Sequence, residues 1–234
     1  MSMKASRQSR LLQVASGMVL AMVLSGAMPV SAQVADCRPG KLSEYLAMGP
    51  EGCAIGNIRF SHFSYSQAPN GPAASAISVT PGTVPETDDP GLLLEAPWST
   101  PSAGSSVSYS VEVAPGRKPV SGATLEMQLG QVTGTGEARI MAELHPSSSG
   151  AGACGPAELT LNVSLDATHA RKAVDDGQLK EPAQQICVVT PVSLSPGKRG
   201  SAKLQGFMTV FHFGHSQSAS ANPPPVPSPT GVGQ

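Results

Sequence analysis

The sequence predicts an all-β fold: an antiparallel β-sandwich of jelly-roll or Ig-like kind with one short N-terminal helix. Three observations carry it. Apolar residues recur with period two in run after run from Ile58 onward. Gly- and Pro-containing turn signals separate those runs. No segment alternates helix with strand in the βαβ manner.

Before the β-rich region comes a leader. Lys4, Arg7 and Arg10 precede an uncharged, mostly apolar stretch, Leu11 to Leu24, and then Pro29-Val30-Ser31-Ala32. A positive n-region, an apolar h-region and small residues before the cut are the order of a cleavable signal peptide, with the cut expected between Ala32 and Gln33. The apolar core is interrupted by Gln13, Ser16 and Gly17. It is short of the roughly 20 residues needed to span a bilayer. Residues 1–32 are therefore read as signal peptide, 33–215 as one β-sandwich domain and 216–234 as a disordered Pro-rich tail. No membrane association is expected after cleavage.

Residues after the leader hold 12 Lys+Arg against 16 Asp+Glu. Such mild acidity does not make the clustered basic face of a nucleic-acid binder. Charged residues make up 13% of the chain, against about 25% in typical soluble domains. Aromatics are only 4%, so the core must rest on Val, Leu, Ile and Ala. The four cysteines are Cys37, Cys53, Cys154 and Cys187, and export makes disulfides permissible. Sequence alone does not choose among the three pairings. The most local is Cys37–Cys53 with Cys154–Cys187. No C-x-x-C occurs.

Leu42, Tyr45 and Leu46 share one helical face, and Gly49-Pro50 stops the helix. Ile58 to Tyr65 then reads as a strand, with a bulge near His62 needed to turn Phe63 and Tyr65 inward. Ile77 to Thr80, Gly91 to Glu95, Val107 to Val113, Thr124 to Leu129 and Ala138 to Leu144 continue the alternation. Leu159 to Leu165, Ile186 to Thr190 and Lys203 to Phe211 complete it. Turns are expected at Pro69-Asn70-Gly71-Pro72, Pro81-Gly82, Pro115-Gly116, Asp175-Asp176-Gly177 and Pro196-Gly197. From Ser216 the chain lacks the apolar mass to fold and reads as an extended, partly polyproline II segment.

The neighbourhood Gly52-Cys53-Ala54-Ile55-Gly56, followed by Phe60, Phe63 and Tyr65, resembles a group of exported bacterial β-rich proteins. Gly91 to Trp98 and Thr133-Gly134-Thr135-Gly136 extend the resemblance. Many of those proteins end in a PEP-CTERM sorting signal, with an apolar helix and a basic cluster. The Pro-rich stretch to Gln234 has neither, so the resemblance implies export with release rather than sorting. It implies no activity.

Candidate chemistry is sparse. His212 and His215 form an H-x-x-H, but residues three apart on a strand face opposite sides and one metal ion needs three or four ligands. His62, His145 and His169 follow no ligand spacing. Asp166, Asp175-Asp176-Gly177 and Glu86-Thr87-Asp88-Asp89 are acidic without matching a Ca²⁺ loop. Glu112, Glu126 and Glu143 sit on the polar sides of their strands, and no G-x-S-x-G elbow exists. No catalytic residue, metal or cofactor is therefore assigned. Trp98, at a strand exit, reads as a plug at the edge of the core; as the alternative it is the candidate ligand platform, with Tyr65 or Tyr109 on the same open face. The expectation is a secreted or surface-associated, non-enzymatic sandwich with a structural or adhesive role. Extracellular polysaccharide or cell-surface material is the expected partner. A carbohydrate-binding module and an extracellular hydrolase are the alternatives.

Overall fold

A computed structural model describes residues 34–100, 102–147, 154–166 and 171–214. Of two compact units, Met1–Gln33 and Val34–Gln234, only the second holds described residues. The expected signal peptide, its Ala32/Gln33 cut, His169, His215 and the tail lie outside them.

In chain order the elements are β1 (Gly40–Lys41), α1 (Leu42–Ala47), β2 (Cys53–Ile55), β3 (Ile58–Ser66), β4 (Ser78–Thr83), β5 (Pro90–Ser99) and β6 (Ser102–Val113). Then follow β7 (Val120–Met127), β8 (Gly130–Thr133), β9 (Glu137–Pro146), β10 (Leu159–Asp166), β11 (Arg171–Lys172), β12 (Val174–Ala183), β13 (Gln185–Ser195) and β14 (Ser201–Phe213). One sheet runs β1-β4-β5-β14-β7-β12, with β8 pairing β14. The other runs β11-β10-β9-β13-β6-β3-β2. The strand pairings are antiparallel, and the two sheets pack as a sandwich. β8 continues along β14 where β7 stops.

Period-two alternation builds the core. Leu92, Leu94, Ala96 and Trp98 of β5 face inward, as do Ile186, Val188, Val192 and Leu194 of β13. Phe60 lies 6.2 Å from Tyr109 and 6.0 Å from Phe211, ring centre to ring centre. These rings join the two sheets, because β3 and β6 belong to one and β14 to the other.

The expected bulge is present. The β3–β6 register shifts between Ser61 and Ser64, and His62 takes φ 53°. Phe63 thereby turns inward and stacks on Tyr109 at 5.5 Å. Two expected turns are strand segments instead. Pro81-Gly82 lies inside β4, which beyond Ser78 and Val79 is paired on one side only. A proline lacking its N–H is tolerated at such an open edge. Asp175-Asp176-Gly177 lies inside β12, paired to Leu125, Thr124 and Ala123. The Asp175 carboxylate accepts the Asn162 amide of the other sheet at 2.7 Å and pairs with Lys172 Nζ at 2.6 Å. Burial pushes this carboxyl up, but the hydrogen bonds from Lys172 and Asn162 outweigh that and hold it below the usual carboxylate range.

Helix α1 buries Leu42 and Tyr45. Tyr45 donates its hydroxyl to the Arg38 carbonyl at 2.7 Å and meets Phe63 edge-on at 5.1 Å. Burial, with the neighbouring Glu44 charge, pushes the phenol up from 10.0 to about 12. The unfolded chain loses this proton first, so the contribution is intact below pH 10 and fades as pH rises towards 12. Buried Tyr109 is raised as well and acts with the same sign. Urea unfolding followed across that alkaline range should show falling stability, and Tyr45→Phe should make the fall shallower. An unchanged slope in that variant would remove Tyr45 from the account.

Candidate functional site

Three strands of one sheet, β5, β14 and β7, bring together residues that are far apart in sequence. Asp88, at φ 57°, turns the chain just before Pro90 opens β5. The turn is held by Asp88 N–H to Val84 O (2.8 Å) and Val84 N–H to Asp89 O (2.9 Å). Asp89 is thus placed beside the end of β14, 9% exposed. His212 lies there on the outer face, since its neighbour Phe211 points into the core. The β14–β7 register shifts between His212 and Phe213, and the Ser121 hydroxyl donates to the His212 carbonyl at 3.2 Å.

A hydrogen-bonded chain of side chains results. His212 Nδ1 is 2.8 Å from Asp89 Oδ2, and His212 Nε2 is 2.7 Å from Thr124 Oγ1. A carboxylate only accepts, so Nδ1 carries a proton; in the neutral imidazole Nε2 then accepts from the Thr124 hydroxyl. The order hydroxyl, imidazole, carboxylate is the order of a nucleophile-activating relay. At Thr124, however, β7 is paired with β14 on one side and β12 on the other. Its amides are committed to those ladders and do not make an oxyanion hole.

Beside the relay opens a cavity of about 680 Å³, lined by Thr87, Asp89, Gln178, Lys180, His212 and Phe213 among others. The β12–β7 register shifts between Gln178 and Ala183, and this irregular stretch supplies one wall. Leu179, Pro182 and half-buried Phe213 border it together with hydroxyl, amide, carboxylate and ammonium groups. The volume lies within the range of small-molecule sites.

The sequence-predicted platform is elsewhere. Trp98 is 1% exposed, its ring centre 5.7 Å from that of Phe207. The alternation that buries Leu92 and Leu94 also buries Trp98 two residues after Ala96. It borders a cavity of about 620 Å³ with Pro97, Leu129 and Lys203, yet offers no open ring face. Tyr109 is buried too, and the Tyr65 hydroxyl is bound to the Pro72 carbonyl at 2.7 Å. Phe213, which also borders a cavity, lies two residues beyond Phe211, where the run read as the final strand ends. Its signal was the continuing alternation Phe207, Thr209, Phe211, Phe213.

Cys37 is bonded to Cys53 and Cys154 to Cys187. Among the other candidates, Glu112 pairs with Arg59, and Glu143 lies 3.7 Å from His145 Nε2. His145 Nδ1 meets the Gly155 carbonyl at 2.6 Å. Among the described residues no three His, Cys, Asp or Glu side chains are grouped to hold a metal. No described helix is long and apolar enough to cross a membrane.

No family model matches the chain, and no curated protein does. Solved structures share a weak likeness, two of them as follows. One is the enzymatically active domain of bacteriophage CBA120 tailspike protein 4, at 12% identity and TM-score 0.26. It covers 67% of this chain, which spans only 20% of that one. The other is TmCBM61 in complex with β-1,4-galactotriose, at 11% identity and TM-score 0.24, covering 75% of this chain and 100% of that one. At these scores neither carries an argument beyond what the strands themselves establish: the chain is a disulfide-bonded antiparallel β-sandwich.

Proposed function

We propose that this chain is an exported, non-enzymatic sandwich that attaches to extracellular polysaccharide through the cavity at Phe213. The observation that carries the reading is the lining of that cavity: apolar Phe213, Leu179 and Pro182 set among Asp89, Gln178, Lys180 and His212. A sugar presents an apolar C–H face and a ring of hydroxyls. An apolar surface bordered by polar donors and acceptors complements both. Export rests on the leader and on two disulfides, which persist in oxidising compartments.

The test is affinity electrophoresis against a panel of extracellular polysaccharides, with Phe213→Ala and Gln178→Ala as variants. Phe213→Ala should weaken binding about tenfold, the equivalent of about 1.4 kcal/mol of lost apolar contact. Gln178→Ala should weaken it less. A panel without any binder, or a Phe213→Ala protein that binds as tightly as the parent, would sink the proposal. N-terminal sequencing of the exported product should begin at Gln33.

The Thr124–His212–Asp89 chain favours a second reading, hydrolysis. The same mixtures discriminate. Loss of ester-linked acyl groups from an acylated polysaccharide with the parent protein but not with His212→Ala would make the relay catalytic. Intact polysaccharide with retained binding supports attachment, with the relay holding one wall of the cavity in place.

A further inference from the structure

Phe213 also borders a second cavity, of different chemistry. It opens where the Gly56-Asn57 turn, the β4–β5 loop and the β6–β7 loop meet, and its volume is about 490 Å³. Its apolar lining comes from both sheets: Ile55, Ile58 and Val113 from one, Phe213 from the other. Ile58 and Val113 are closed off at 4% and 3% exposure, forming the floor. Ile55 and Phe213 are half-buried and line the way in.

The rim is charged and asymmetric. Arg117 and Lys118 stand on it with Asp88. Among the described residues, ion pairs join Arg59 to Glu112, Arg139 to Glu137 and Lys172 to Asp175, and His145 and His212 lie against Glu143 and Asp89. Neither Arg117 nor Lys118 takes part in one of these. The backbone beneath them is fixed. Arg117 N–H donates to the Ala114 carbonyl at 3.1 Å and Ala114 N–H to the Asn57 carbonyl at 2.9 Å. Gln184 Nε2 donates to the Arg117 carbonyl at 3.1 Å. Two cations outside the ion pairs of the described residues thus stand at the mouth of an apolar cavity, against one carboxylate.

We infer that this cavity binds an anionic amphiphile: an alkyl or aryl carboxylate or sulfonate, its head on Arg117 and Lys118 and its apolar body against Ile55 and Phe213. Burial of the body supplies affinity. The guanidinium and ammonium select the anion, since charge-assisted hydrogen bonds are about twice as strong as neutral ones. Arg117 and Lys118 line this cavity and not the one beside His212, so the two sites can be tested separately.

Anilinonaphthalene sulfonate serves as the fluorescent probe on the folded full chain. It should bind saturably. Decanoate should displace it about tenfold or more better than decanol, and decyltrimethylammonium should be weaker still. The Arg117→Gln/Lys118→Gln protein should lose about tenfold or more in decanoate affinity while decanol affinity and the urea midpoint stay at parent values. Equal displacement by decanoate and decanol would overturn the inference. So would a double variant that binds decanoate as the parent does, or a probe signal that never saturates.

Discussion

Replacing Trp98 by alanine should lower stability by about 3–5 kcal/mol, the range for emptying a large aromatic site in a packed core. Trp98 is among the largest fully buried side chains and packs on Phe207. Leu204 stands opposite it on β14. Urea unfolding measures the loss. Trp98 is the sole tryptophan, so the parent's indole emission should be blue-shifted and resistant to acrylamide. Its indole Nε1 is buried and has no hydrogen-bond partner among the described residues. An unpartnered buried donor costs about 1–3 kcal/mol. Trp98→Phe removes that penalty along with part of the ring, and should therefore fall well short of the alanine loss. Freely quenched emission, or a Trp98→Ala loss below about 1 kcal/mol, would return Trp98 to the surface and restore it as a ligand platform.

The same residue shows how far the sequence could be read. Period two is a local property, so strand after strand was legible, as were α1 and even the His62 bulge. Position within a sheet is not local. Pro81 is tolerated inside β4 because most of that strand has an open edge, a fact of sheet order rather than of the dipeptide. Asp175 looked like a turn residue. Its carboxylate instead links β12 to Asn162 of the opposite sheet, which no window around Asp175 reveals. The candidate site was still less accessible. Asp89 and His212 are 123 residues apart, and Thr124 and His212 are 88 apart. Their meeting follows from β5, β14 and β7 being neighbours, and pairing order is what alternation leaves open. Trp98 carried two readings for a related reason, and burial decides for the core. An aromatic beside a proline at a strand exit resembles an exposed platform, whereas counting alternate residues from Leu92 assigns it to the core.

Reduction of the two disulfides should destabilise the chain by about 3 kcal/mol for Cys37–Cys53 and about 4 kcal/mol for Cys154–Cys187, from loop-closure entropy alone. The sequence separations are 16 and 33 residues, and the longer loop restrains the unfolded chain more. Cys37–Cys53 fastens the N-terminal segment to β2, where Cys37 N–H also donates to the Ala54 carbonyl at 2.8 Å. Cys154–Cys187 ties the segment before β10 to β13, a central strand. The bridges share no residue and lie in different parts of the sandwich, so their effects should add. Their sum of about 7 kcal/mol is comparable to the whole stability of a typical domain, about 5–15 kcal/mol. Urea unfolding with and without a phosphine reductant measures the sum, and Cys37→Ser/Cys53→Ser and Cys154→Ser/Cys187→Ser divide it. A reduced protein within about 1 kcal/mol of the oxidised one would overturn the prediction. It would also remove a physical reason for export, because a sandwich that stands without its bridges has no need of an oxidising compartment.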